Sequence, residues 1–408
     1  STYLSCLRMN TLMRFAHPRR IRIGTIPQYL FVASSERRDT AVTHATAEGS
    51  MTMAAPDMYA QDTAEIVANL GDLVHRFAGK TILIAGGGGF LGRHFLRVFA
   101  HLNRTHLASP CRVISVDNYI TGDMGSFGDD QATGIHSVWS DVTYPLPVRE
   151  DLHYILHAAG VASPVYYMKY PLETIESAVQ GTKHLLELAR RNPMLEGFLF
   201  FSSSEIYGDP DPRAVPTPET YHGYVSSIGP RACYDESKRL GETISTIYHQ
   251  RYGVPVSIVR PFNIFGPGMK HNDRRVIPMF TYQALNGVPL TIHGDGHQTR
   301  TFCYVTDAIT GFLRTLLLGR RGEPYNIGNS DNELSMNRLG ALFAEHIPHT
   351  HVVQVPYPDT YPAGEPQRRC PDLSKASREI GYQFSIDIDT GIRRFISWAS
   401  VEGSYIDF

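Results

Sequence analysis

The sequence predicts an α/β protein: a doubly wound parallel sheet with a smaller, interleaved C-terminal lobe. Three observations point there. Apolar stretches of strand length alternate with helix-patterned stretches between residues 80 and 262, the pattern of parallel strands joined by crossover helices. The first strand runs into a helix through four consecutive glycines, 86–89. Beyond residue 262 the elements shorten, and basic residues scatter through GPGMKHNDRRVIPMF and GDGHQTRTFCYVTD.

Taken in order, KTILIAGGGGFLGRHFLRVF reads as a buried strand, a glycine turn and a helix. Gly86, Gly89 and Gly92 have GxxGxxG spacing. A turn without side chains lets the backbone approach a pyrophosphate, and the first amides of the following helix, at Phe90 and Leu91, would face it. CRVISVDNY is a second strand ending in Asp117, 25 residues beyond Gly92. A carboxylate there accepts hydrogen bonds from an adenosine ribose and repels a 2′-phosphate, so NAD is expected rather than NADP. HSVWSDV is the third strand and ends in Asp141 and Val142; with Asn118 and Thr121 they complete the expected NAD contacts. LHYILHAAG is another buried strand, GTKHLLELARR a helix with an apolar stripe, and FLFFSSSEIYG and VPVSIVRPFN supply two more strands. Ligands of such sheets bind beyond the carboxyl ends of the strands. Ser203, Ser204 and Glu205 follow FLFF there, and Asn263 follows SIVRPF.

A chain of 408 residues with 42% hydrophobic content can bury a large core. The expected organisation is an N-terminal extension over 1–57, a dinucleotide-binding domain over 58–262, and a mainly substrate-binding region over 263–408, with about 300–335 returning to the first domain. A formal net charge of -2 gives no global attraction to nucleic acid or an anionic membrane. No apolar run reaches the roughly 20 residues of a membrane span. The five cysteines lie far apart without a CxxC pair, which argues against a zinc or disulfide framework and fits a reducing, cytoplasmic setting. The 18 histidines never fall into HExxH spacing, so no metal is expected. The first fifty residues hold seven arginines against three acids and no lysine. Their composition resembles a targeting segment, but they carry no helical period and are expected to be a disordered extension before a globular part starting near Met51, Met53 or Met58.

One short segment raises a chemical question. In PRACYDESKRLGE, Tyr234 and Lys238 are four residues apart, which on a helix places both on one face, about 5–6 Å apart at Cβ. A phenol of pKa about 10 is a poor base at neutral pH. A unit charge at about 4 Å interacts by about 4 kcal/mol at an effective dielectric near 20, enough to lower that pKa by roughly three units. The same spacing also describes an exposed tyrosine and lysine on a solvated helix. A dinucleotide turn and the strand-end hydroxyl of Ser203 turn the pair into a candidate oxidising centre.

With these residues together, the chain resembles the extended short-chain dehydrogenase/reductase family of Rossmann enzymes from about residue 78 to 400. The resemblance implies that Ser203, Tyr234 and Lys238 take part in hydride transfer, with Tyr234 and Lys238 also touching NAD. Within the family, SSSEIYGDP, SSIGPRACYDESKR, RPFNIFGPGMKHNDRRV, GDGHQTRTFCYVTD and EPQRRCPDLSKA are most similar to UDP-glucuronate decarboxylases, with Cys370 where those have lysine. Related 4,6-dehydratases carry an Asp-Glu pair where this chain has Ser204 and Glu205, and uronate 4-epimerases typically lack the glutamate. The similarity therefore implies UDP-glucuronate as substrate, with Glu205 and Arg369 attending decarboxylation and reprotonation at C5, either one as the acid, and Ser204 nearby. It further implies Asn263, Arg300 and Arg275, or its neighbour Arg274, as diphosphate ligands. Tyr167 either faces the sugar or packs as a core aromatic. A homodimer is expected.

Overall fold

The computed structural model describes residues 57–122, 133–357 and 367–406; residues 1–56 of the expected extension lie outside that range. The described chain opens with α1 (Met58–Leu70), whose N-cap Asp57 accepts from the Tyr59 and Ala60 amides. There follow β1 (Thr81–Ala85), α2 (Phe90–Thr105), β2 (Arg112–Asp117), β3 (Ile135–Trp139), β4 (Tyr154–His157), α3 (Pro164–Lys169), α4 (Pro171–Glu176), α5 (Thr182–Arg190), β5 (Gly197–Phe201), α6 (Ala232–Tyr252) and β6 (Val256–Pro261). The remainder comprises β7 (Ile264–Phe265), α7 (Val276–Leu285), β8 (Leu290–His293), β9 (Thr299–Thr301), β10 (Cys303–Tyr304), α8 (Val305–Leu318), β11 (Pro324–Ile327), β12 (Glu333–Ser335), α9 (Met336–His346), β13 (Val352–Val355), β14 (Arg368–Arg369), α10 (Ser374–Ile380) and α11 (Ile388–Ala399).

Seven strands form one parallel sheet in the order β11-β6-β5-β4-β1-β2-β3, the doubly wound architecture read from the sequence. Alternation along each strand feeds two cores, because successive side chains point to opposite faces. Ile82, Ile84, Leu199 and Phe201 join the core under α1, α2 and α8. Leu83, Ala85, Phe198 and Phe200 join the core that also takes Leu185 and Leu186 of α5 and Tyr248 of α6. Both faces are covered, which is why these strands are nearly continuous apolar runs.

The strand order reverses between β1 and β4, and such a switch point opens a crevice at the carboxyl ends of the strands. Of residues 300–335, α8 and β11 lie on the main sheet, whereas β9 and β12 join β14 in a separate three-stranded sheet. In that small sheet Arg369 is paired in register with Arg300. All described residues belong to one compact unit. Among them no helix is long and apolar enough to cross a membrane.

Candidate active site

The helix α6 buries Tyr234, Asp235, Ser237, Lys238, Gly241, Ser245 and Tyr248, a stripe at helical spacing that faces the sheet. Tyr234 and Lys238 are thus each only 6% exposed, and the solvated-helix reading of the pair is excluded. Lys238 Nζ donates to the Phe201 carbonyl at the end of β5, 2.8 Å away. It also stands 3.3 Å from where a Cβ would lie on Gly160, just beyond β4, and so reaches the switch point. Tyr167 of α3 stacks on Tyr234, with ring centroids 5.3 Å apart and planes 17° from parallel. Ser203 is buried just beyond β5; its hydroxyl accepts from the Glu205 amide at 3.2 Å and lies near enough to Tyr234 to favour the phenolate. Ser204 is buried beside it.

The phenol does not follow the sequence expectation. Burial pushes Tyr234 up to about 12, with Glu205 and Asp235 adding to the rise and only Ser203 and Arg275 opposing it. Burial pushes Lys238 down to about 8. The expected lowering by the ammonium fails because Lys238 is held on the Phe201 carbonyl, 5.8 Å from the centre of the phenol ring. Removing the phenolate from water costs more than that distance returns.

Next to the phenol lies a cluster of buried charges. Glu205 accepts from both terminal nitrogens of Arg369, and its Oε2 also accepts from Arg231 at the start of α6. Arg231 Nε lies 3.5 Å from Asp235 Oδ2. Burial raises Asp235 to about 7, Arg231 opposes that rise and Glu205 adds to it. Asp235 Oδ1 and Arg369 Nε are buried without a hydrogen-bond partner among the described residues. Glu205 and Arg369 were singled out in the sequence; Arg231 and Asp235 were not. Their signal was present as an i,i+4 Arg-Asp pair flanking Tyr234, which a helix surface would make unremarkable.

The glycine turn is built as expected. A Cβ on Gly92 would stand 2.1 Å from the Gly86 carbonyl oxygen, and one on Gly86, which has φ +89°, would stand 2.6 Å from the Ala159 amide. Neither position admits a side chain, so the backbone at the N-terminus of α2 stays bare, beginning with N-cap Gly89, Phe90 and Leu91. Gly89 differs: its φ is ordinary, and its Cβ would come no nearer than 3.3 Å to the Gly86 oxygen. Asp117 supports the turn by accepting from the Gly88 amide at 2.9 Å and the Tyr119 amide at 2.7 Å. Burial raises its pKa while those bonds pull it down. Asn118 donates to Asp141 at 2.9 Å. Burial works against the Asp141 carboxylate, but the bonds from Asn118 and Thr143 hold its pKa low. Val142 is buried against Gly181, and the Thr121 carbonyl accepts from Lys270 at 3.1 Å. A side-chain-free turn at a helix N-terminus, with an acid at the end of the next strand, fits the pyrophosphate and ribose of NAD.

The expected diphosphate ligands are less uniformly placed. Arg300 is buried and donates to its neighbour's carbonyl at Thr299, 2.8 Å away. Asn263 has a left-handed backbone, φ +39°, and spends its amide on the Thr301 carbonyl at 2.9 Å. Arg275 is turned onto Asp273, its Nε at 2.9 Å, so this guanidinium is already neutralised by a carboxylate two residues away. Arg274 takes a left-handed backbone, φ +59°.

Fold and site together define a dinucleotide-dependent oxidoreductive centre at the switch point of a doubly wound sheet. The chain belongs to the NAD dependent epimerase/dehydratase family, whose sequence model matches residues 82–328, and it is an NAD-dependent enzyme. It is 37% identical over 315 residues to UDP-glucuronic acid decarboxylase 3 of Arabidopsis thaliana, covering 76% of this chain and 86% of that protein. It is 36% identical over 327 residues to UDP-glucuronic acid decarboxylase 1 of Danio rerio, covering 79% and 73%. Among solved structures it is similar to DesIV, a dTDP-glucose 4,6-dehydratase from Streptomyces venezuelae with NAD bound, at 25% identity and TM-score 0.66, covering 79% of this chain and 97% of that one. The UDP-glucose 4-epimerase of Thermotoga maritima shares the fold, at 24% identity and TM-score 0.68, covering 78% and 98%.

Proposed function

We propose that this enzyme decarboxylates UDP-glucuronate to UDP-xylose through a 4-keto intermediate. The carrying observation is the pairing of Glu205 with Arg369 beside Ser203, Tyr234 and Lys238, which sets charged groups for a carboxylate next to an oxidising centre. The identity with the decarboxylases of Arabidopsis and Danio over three quarters of the chain supports the same reading.

The turn at Gly86, Gly89, Phe90, Leu91 and Gly92, with Asp117, Asn118, Thr121, Asp141, Val142, Tyr234 and Lys238, would hold NAD. Bound NAD supplies the hydride acceptor for C4 and later the donor. Tyr234 takes the proton from the C4 hydroxyl while Ser203 orients that hydroxyl. Without cofactor the phenol holds its proton, raised by burial; the Ser203 hydroxyl and the Arg275 charge oppose that rise, and the positive charge of a bound nicotinamide would oppose it further. With C4 a ketone, the C6 carboxylate is β to a carbonyl. The C5–C6 bond breaks, carbon dioxide leaves, and the electron pair enters the C4 enolate. Positive charge at Arg369 stabilises the developing negative charge in a site largely shut off from water. A proton then returns to C5, with Glu205 and Arg369 the groups at hand, and reduction of C4 with proton return from Tyr234 closes the cycle.

Exposed Leu172 and Ile175 on α4 and Leu240 and Ile247 on α6 support pairing of two copies through these neighbouring helices; sedimentation of the purified protein tests that. The reaction is tested with carboxyl-labelled UDP-glucuronate. Labelled carbon dioxide from the wild type, and its loss in Arg369→Ala with partial survival of NADH formation, is the expected result. Undiminished release from both Glu205→Ala and Arg369→Ala would reject these residue roles, whereas no release from the wild type would reject decarboxylation and favour epimerase or dehydratase chemistry.

A further inference from the structure

The charge cluster contains more than decarboxylation needs at first sight. Arg369 is 5% exposed and the Arg231 side chain 13%. Among the described residues, two carboxylates face these guanidinium groups. Asp235, raised by burial to about 7, is ionised only in part near neutral pH. Its Oδ2 lies near Arg231, and its Oδ1 has no hydrogen-bond partner among the described residues. Of the two carboxylates, Glu205 carries most of the counter-charge, and it occupies both terminal nitrogens of Arg369 while doing so. Those are the donors a planar carboxylate would use. The Nε donor of Arg369 is buried, so a uronate carboxylate takes the same two-pronged, end-on grip only when Glu205 gives it up. A largely buried carboxylate that loses its partner is unfavourable, so Glu205, 19% exposed, needs a second cation to stay with, and Arg231 already touches its Oε2.

We propose that Arg231 is a specificity-determining residue: it retains Glu205 while Arg369 turns to the C6 carboxylate of the sugar, so that the cluster of two arginines and Glu205 is balanced best when an acidic sugar nucleotide is bound. The proposal rests on the decarboxylase reading and deepens it. A neutral hexose brings no carboxylate and gains nothing from the exchange. Arg231 also begins the helix that carries Tyr234 three residues later, so the carboxylate exchange is anchored on the element that holds the base.

The test compares direct binding of UDP-glucuronate and UDP-glucose, by calorimetry with NADH present so that C4 oxidation cannot proceed, for wild type, Arg231→Gln and Arg231→Lys. Arg231→Gln is expected to weaken UDP-glucuronate by about tenfold to a hundredfold, the worth of a charged hydrogen bond, while UDP-glucose changes by less than about twofold. Arg231→Lys keeps the charge with one donor and should restore most of the discrimination. Equal weakening of both sugars would make Arg231 merely structural and overturn the proposal, as would full discrimination in Arg231→Gln. If Arg231→Gln does not give a cooperative melt, Arg231→Met takes its place: a loss confined to UDP-glucuronate supports the proposal, and a loss shared by both sugars, or full discrimination, rejects it. Carbon dioxide release by the wild type is measured in parallel. Its absence would reject the decarboxylase reading, whereas its presence with unchanged discrimination in the variants would reject the role of Arg231 alone.

Discussion

Glu205→Gln removes one negative charge from the buried cluster and keeps its shape. Arg369 and Arg231 then lose their shared counter-ion, and the new amide group turns donors toward donors. Breaking a buried ion pair from one side costs about 3–5 kcal/mol. Asp235 offsets part of that. Glu205 contributes to its raised pKa of about 7, and each unit by which the pKa falls in the variant returns roughly 1.4 kcal/mol at pH values above it. A net loss of about 2–4 kcal/mol at pH 8 is expected. The pH dependence gives the reasoning a second check. Because the Asp235 carboxyl sits at about 7 in the folded protein rather than its ordinary 3.8, the native state binds that proton more tightly. The associated stability is complete below about pH 4 and is lost as pH rises through 7, by roughly 4 kcal/mol over the whole range. With Glu205 neutral, the window closes at lower pH and the loss shrinks. Urea unfolding at about pH 5 and pH 8, for wild type, Glu205→Gln and Asp235→Asn, reads both effects, since Asp235→Asn lacks the titrating group while other buried carboxyls are common to all three. A Glu205→Gln protein as stable as wild type at pH 8 would refute the reasoning, as would an Asp235→Asn protein with the wild-type pH slope.

Ser203→Ala removes the hydroxyl that pulls the Tyr234 pKa down. It should cost about tenfold to a hundredfold in kcat/KM near neutral pH and move the alkaline rise of the profile to higher pH; a uniform loss at every pH would point to a packing role instead. Gly92→Ala should abolish NAD binding, because its Cβ would sit 2.1 Å from the Gly86 oxygen, whereas Gly89→Ala meets its nearest atom at 3.3 Å and should keep NAD within about tenfold. Fluorescence titration with NADH separates the two, and equal losses would mean that the turn reshapes freely. Asp117→Ala should narrow the preference for NAD over NADP by losing the charge that repels a 2′-phosphate. It should also weaken NAD itself, since the carboxylate holds the Gly88 and Tyr119 amides; an unchanged NAD/NADP ratio would contradict the ribose assignment.

What the sequence determined by itself was whatever depends on neighbours along the chain. Strand alternation in TILIA and FLFF sends successive side chains to opposite faces whatever packs there, so the doubly wound sheet was legible from the local pattern. The glycine turn was equally legible, because Gly92 must clear Gly86 six residues away. The four-residue spacing put Tyr234 and Lys238 on one face, and that much held. Their proton affinities were decided elsewhere. The phenol rises because α6 is pressed on the sheet and loses water, and the lysine is drawn to the carbonyl of Phe201, 37 residues earlier. Arg275 shows the converse case: its partner Asp273 is two residues away, yet only the folded loop shows that the two pair instead of leaving the arginine exposed for phosphate. Asp62 of α1 is another group the pattern missed, since its partner Tyr304 lies 242 residues further on. The charge cluster is the clearest example. Arg231 and Arg369 reach Glu205 across 26 and 164 residues, and no period along the chain encodes that meeting. Local steric and periodic rules set the elements and the turn, but the energy of a buried charge depends on which distant partners close around it and how much water they exclude, and only the tertiary structure decides that.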